Sequence, residues 1–60
     1  MARKTTLEKD GAQRIVVETD AQGTRVFDEN GNVLTTYGDN RHDEAVDNYV
    51  RGGWQIIDES

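Results

Sequence analysis

The sequence predicts a small α+β domain, an antiparallel β-sheet with one helix packed on one face, in the order βββαβ. Three observations predict it. Two turn sequences of the same form, Asp20-Ala21-Gln22-Gly23-Thr24 and Asp28-Glu29-Asn30-Gly31-Asn32, lie eight residues apart and are flanked by β-prone runs. A stripe of Ala45, Val46, Tyr49 and Val50 recurs at helical spacing. Gly52-Gly53 then stops the helix before the apolar run Trp54-Gln55-Ile56-Ile57.

Residues 1–12 show no apolar periodicity, and Leu7 is their one large apolar residue after Met1. They are expected to form a flexible N-terminal tail, with residues 13–60 as a single domain. Arg14 to Thr19, Thr24 to Asp28 and Asn32 to Tyr37 then read as a three-stranded meander. Asp opens each turn because its carboxylate can accept turn amides, and Gly fits the positive φ of a bulge. A three-residue loop ending at Gly31 sets Phe27 opposite Val33 and Val26 opposite Leu34. The same loop ending at Gly23 sets Val17 opposite Phe27 and Glu18 opposite Val26. Asp39 or Asn40 can cap the helix, and Asp43 and Glu44 suit the positive end of its dipole. Asp58-Glu59-Ser60 is expected to fray.

This register places Ile15, Val17, Phe27 and Val33 on one face and Val16, Val26 and Leu34 on the other. The first set, with the sole Phe of the chain, is the expected core, closed by Val46, Tyr49 and Val50. Trp54 is expected to join it, with an interface role as the alternative. One helix covers one face, so Val16, Val26 and Leu34 are expected to form an exposed contact patch. The simplest occupant is a second copy stacked sheet on sheet, a homodimer.

At 60 residues the chain has room for one marginal domain. It has no cysteine and one histidine, His42. Disulfides and thiolate zinc sites are excluded, and one imidazole builds no nitrogen-rich metal cage. No metal and no cofactor is expected. His42 lies among Asn40, Arg41, Asp43 and Glu44, which suits a solvated helix start better than acid–base chemistry, since no second catalytic group converges on it. The segment from Asp28 resembles a calcium loop only superficially, because Gly31 stands fourth where an EF-hand needs glycine sixth.

The net charge is −5, with +2 in residues 1–14 and −7 in residues 15–60. The longest apolar run is Ile15-Val16-Val17, and the N-terminus lacks a secretory pattern. The expected class is therefore a small cytoplasmic, non-enzymatic protein-binding module, a regulator or inhibitor of phage or bacterial origin. The alternative is an acidic nucleic-acid mimic, in which Asp39, Asp43, Glu44 and Asp47 imitate phosphates for a basic groove. Direct nucleic-acid binding through Arg3, Lys4, Lys9 and Arg14 is disfavoured, because the folded part repels phosphate.

Overall fold

The structure, a computed structural model, describes residues 2–60. Its elements are β1 (Arg3–Lys9), β2 (Gln13–Asp20), β3 (Gly23–Asp28), β4 (Val33–Tyr37), α1 (His42–Arg51) and β5 (Gln55–Glu59). The strands form one five-stranded antiparallel sheet in the order β4-β3-β2-β1-β5. The α+β class holds, with one more strand than the sequence reading placed. That strand is β1, in the segment expected to be a tail.

β1 exists because residues 9–12 make a tight hairpin. Asp10 and Gly11 both adopt positive φ, 57° and 67°, and the Ala12 amide donates to the Lys9 carbonyl at 3.1 Å. This is the mirror-image turn that Asp-Gly favours, whose twist matches that of the flanking strands. It folds Arg3–Lys9 back onto β2, with Thr5 opposite Val17 and Leu7 opposite Ile15. Leu7 is fully buried. The chain end is also tied down. The Ser60 amide donates to the Lys4 carbonyl at 2.9 Å and the Lys4 amide returns the bond at 3.0 Å. The expected fraying of residues 58–60 is thus replaced by pairing with β1.

The β2–β3 register differs from the expected one by a single residue, and that slip reverses the faces of β3. Asp20 pairs with Gly23 across a two-residue loop, so Val17 lies opposite Val26 and Val16 opposite Phe27. The Asp20 carboxylate closes the turn by accepting the Gln22 amide at 2.8 Å. Gly23 belongs to the ladder because the Tyr37 carbonyl passes over it. A Cβ there would stand 2.4 Å from that oxygen, and its φ is 129°.

The β3–β4 turn follows expectation. The Asp28 amide donates to the Asn32 carbonyl at 2.9 Å, Gly31 takes a φ of 88°, and Phe27 lies opposite Val33. The Asp28 carboxylate accepts the Asn32 and Asn30 amides. The Asn32 amide above all holds its pKa below the ordinary 3.8. Beyond Phe27 the expected pairing fails. Val26 lies opposite Thr35, and Leu34 is the extra residue of a β-bulge.

Helix α1 crosses from one edge strand to the other over a single face. Its start is unusual, since the N-cap is Arg41 with no side-chain cap bond. Asn40 Oδ1 accepts the His42 amide at 3.3 Å, while Asp39 is taken up by the Arg41 guanidinium. Its end is a Schellman motif. The Gly53 amide donates to the Val50 carbonyl and the Trp54 amide to the Tyr49 carbonyl, both at 3.1 Å, and Gly53 has a φ of 97°. Tyr49 and Trp54 close the motif edge to face, with ring centroids 5.8 Å apart.

The core is Leu7, Ile15, Val17, Val26 and Ala45, with Tyr37, Val46, Tyr49 and Trp54 packed partly buried around it. Val26, expected on the contact patch, is fully buried. Phe27 and Val33, expected in the core, are on the opposite face.

Leu7→Ala should therefore cost about 2–5 kcal/mol. A chain of this length has only about 3–9 kcal/mol to lose, so the variant should be largely unfolded in urea titrations. Phe27→Ala should cost less than half as much. A Leu7→Ala melt within a few degrees of wild type would mean that β1 is not part of the fold.

Candidate functional site

The expected contact residues do not come together. Val26 is core. Val16 is half-buried on the sheet face away from the helix. Leu34 bulges from β4 and is 51% exposed. It lines a groove of about 280 Å3 whose apolar wall is Ile15, Leu34, Tyr49 and Trp54, rimmed by Arg14 and Glu29 among other polar side chains. The patch dissolves because the one-residue slip at Gly23 exchanged Val26 for Phe27.

A different apolar row replaces it. Thr6 lies opposite Val16, Val16 opposite Phe27 and Phe27 opposite Val33. These four side chains run straight across β1, β2, β3 and β4 on the outer face, the one without a helix. Val33 is 55% exposed, while Thr6, Val16 and Phe27 are half-buried. Glu8 and Arg25, on the two flanks of the row, are half-buried too. Lys4, Glu18 and Arg25 stand opposite one another along one flank of the row. Glu8 and Arg14 stand opposite one another along the other flank, joined by an ion pair at 3.2 Å.

The acidic residues near the helix start are exposed, but each is engaged by an arginine. Asp39 and Glu44 both pair with Arg41 at 2.9 Å, Asp43 pairs with Arg3 at 3.2 Å and Asp47 with Arg51 at 3.0 Å. A phosphate mimic needs carboxylates that present uncompensated charge, and these four carry three guanidinium groups among them. The cations of residues 1–14 are divided as well. Alternation along β1 puts Arg3 and Lys9 on the helix side of the sheet and Lys4 on the outer side, and β2 puts Arg14 on the outer side.

The polar centre that sequence reasoning missed is buried. His42 is 1% exposed, and Thr5, Thr19 and Thr24 are 3% exposed or less. His42 Nε2 lies 2.7 Å from Thr5 Oγ1, and Nδ1 lies 2.8 Å from Thr19 Oγ1. Thr19 and Thr24 hydroxyls are 2.8 Å apart, the Arg41 amide donates to Thr24 Oγ1 at 2.9 Å, and Thr5 donates to Glu59 Oε1 at 3.3 Å. The two ends fix the direction of the whole chain. An amide can only donate and a carboxylate can only accept. Thr24 therefore donates to Thr19, Thr19 to Nδ1, and Nε2–H to Thr5. One neutral tautomer satisfies every member.

This geometry fits a structural clamp better than an acid–base site. No face of the imidazole reaches solvent, and both its nitrogens are taken by hydroxyls. Among the described residues no group of three or more His, Cys, Asp and Glu side chains is placed to hold a metal ion. No helix there is long and apolar enough to cross a membrane. No family model, curated protein or solved structure matches this chain.

Protonation of His42 would break the chain at a definite point. Nδ1–H would face the Thr19 oxygen, Thr19 would have to donate to Thr24, and the Thr24 hydrogen would lose its acceptor. Burial chiefly, and the Arg3 charge next, hold the His42 pKa below the ordinary 6.5, against opposite pulls from Asp43 and Glu59. The unfolded chain then binds the proton more readily than the native one. Stability contributed by neutral His42 is full above the unfolded pKa and is lost as pH falls through about 6.5 toward the lower native value. Urea titrations from pH 8 to 5 should show this loss, and His42→Gln should flatten it. An imidazole titrating at or above 6.5 in the native protein would contradict the assignment.

Proposed function

We propose that this chain is a non-enzymatic protein-binding module whose partner-facing surface is the outer face of the sheet. The observation that carries the reading is the cross-strand row Thr6, Val16, Phe27, Val33, which no second layer covers among the described residues. A domain of this size gains little by leaving its only Phe outside the core, unless that side chain is buried by something else. The charged flanks suit a contact whose centre is apolar and whose rim is polar. A module of this kind regulates or inhibits by occupying its partner's surface. The fate of the titratable groups supports the non-enzymatic part, since His42 is spent in a closed hydrogen-bond chain and the helix carboxylates in ion pairs.

The test is capture by the tagged chain at low and high salt, comparing wild type with Phe27→Glu. The substitution lies outside the core, so the variant should keep its far-ultraviolet circular dichroism. The expected result is a partner, a second copy included, that survives high salt on wild type and is lost from the variant. Equal retention by both, with loss on Leu34→Glu instead, would move the contact to the groove beside Tyr49 and Trp54.

A further inference from the structure

We propose that the outer face binds a second copy of this chain, stacked face to face about a two-fold axis that runs across the strands along the Val16–Phe27–Val33 row. The inference rests on the reading of that face as the binding surface and adds the partner and its orientation. The charge complementarity of the two flanks argues for both.

On one flank of the row, β1, β2 and β3 present Lys4, Glu18 and Arg25 in that order. The signs are plus, minus, plus. On the other flank β1 and β2 present Glu8 and Arg14. Asp28 and Glu29, at the end of β3, border the same shallow depression as Arg14, Thr6 and Val16. The signs there are minus, plus, minus. A two-fold along the row turns each sheet over so that one flank meets the other flank of the second copy, strand on the same strand. Lys4 then faces Glu8 and Glu18 faces Arg14, each contact occurring twice, while the apolar rows meet in the middle and Asp58, which extends the row beyond Thr6, meets its own copy at the edge of the contact. Opposite charges at the rim favour this encounter and fix its register.

The same surface disfavours a two-fold that runs along β2 itself. A two-fold parallel to the strands, passing through β2, would lay each flank on itself. Glu18 would meet Glu18 of the second copy, and Lys4 would meet Arg25. Like charges brought together in this way disfavour that pose. Aligned stacking of two twisted sheets is itself a common packing mode. Other surfaces offer less. Asp58 and Glu59 lie on the β5 edge, and the bulge at Leu34 interrupts the β4 edge, both of which discourage edge-to-edge pairing.

The size of the face sets the strength. Five strands about 4.8 Å apart and about five residues long outline roughly 400 Å2. Two such faces bury about 800 Å2, less than the roughly 1,200–2,000 Å2 of stable complexes. The dimer is therefore weak and concentration-dependent.

Sedimentation velocity over a wide concentration range, with folding checked by circular dichroism, tests the pose through a charge exchange between copies. Wild type should pass from monomer toward dimer as concentration rises. Glu18→Lys places the introduced lysine against Arg14 of its copy, and Arg14→Glu places the introduced glutamate against Glu18. Each single variant should associate about tenfold more weakly than wild type or worse. An equimolar mixture of the two should associate again, because a heterodimer has an opposite-charge pair at both positions. Lys4→Glu mixed with Glu8→Lys should behave in the same way and serves if either first variant fails to fold. Single variants that dimerise like wild type, or a folded mixture that stays monomeric while wild type dimerises, would overturn the two-fold along the row. A wild type that is monomeric throughout overturns the second copy as occupant. If Phe27→Glu then still loses a foreign protein in the capture experiment, the binding face stands and only its partner changes.

Discussion

The position of everything else follows from how His42 is buried. An imidazole removed from water needs partners for both nitrogens, and an orphaned buried donor or acceptor costs about 1–3 kcal/mol. This fold supplies those partners from three adjacent strands. Thr5, Thr19 and Thr24 come from β1, β2 and β3, and their hydroxyls carry the chain from the Arg41 amide to the Glu59 carboxylate. Among the described residues no buried side-chain nitrogen or oxygen is left without a partner. Valine at any of the three threonines would keep the shape and break the chain. The start of α1 is thus pinned to the sheet by its first residue, which accounts for a helix that has no side-chain cap at Arg41.

Pinning the helix at that point decides which face of the sheet stays open. β4 and β5 lie at opposite edges, so the connection between them must cross three strands. Ten residues of helix make that crossing over the face of Thr5, Leu7, Ile15, Val17, Thr19, Thr24 and Val26. The Schellman motif at Gly53 then turns Trp54 back against Tyr49 and releases the chain into β5. Among the described residues no element covers the other side. Phe27 and Val16 stay half-buried there among charged neighbours on the open face of the sheet.

The helix, the β3–β4 turn and the α+β class were legible in the sequence, because each has a local signature. The stripe Ala45, Val46, Tyr49 recurs at helical spacing, and Asp28 to Asn32 contains its own turn chemistry. β1 was not read, because Arg3-Lys4-Thr5-Thr6-Leu7-Glu8 holds one large apolar residue among charges and threonines and so resembles a polar tail. Its signal was Asp10-Gly11, a hairpin turn by itself. The faces of β3 were misread for a different reason. Both registers at Gly23 pair β-prone residues, and hydrophobicity favours placing Phe27 inside. The deciding contact is the Tyr37 carbonyl over Gly23, a meeting of residues 14 apart in the chain, and the burial of His42, which demands threonines on the same face as Val17 and Val26. Neither is visible before the chain is folded. The candidate surface inherited the error, since exchanging Val26 for Phe27 moves the apolar row by one residue.

An acidic chain that associates with itself must overcome its own charge, and the distribution of that charge makes this easier than the net value of −5 suggests. The outer face carries Lys4, Arg14 and Arg25 against Glu8 and Glu18 in its two flanking rows. Asp20, bridged to Arg25, and Asp58, opposite Thr6, add two carboxylates to that face, and the rest lie on the helix, in the turns and at the end of β5. In a face-to-face pair the two helices point away from each other, with two sheets between them. Sheets pack about 10 Å apart, and each helix adds a further layer behind. That distance exceeds the Debye length of about 8 Å at physiological ionic strength, so repulsion between the acidic helices is largely screened. Charges at the contact are closer than that and are screened less. Added salt therefore relieves the long-range repulsion while it weakens the rim pairs, and the two effects oppose each other. The apolar centre is indifferent to salt in this range. In the proposed dimer affinity would come chiefly from Val16, Phe27 and Val33, whereas the charged rows would bias which way round the second copy sits.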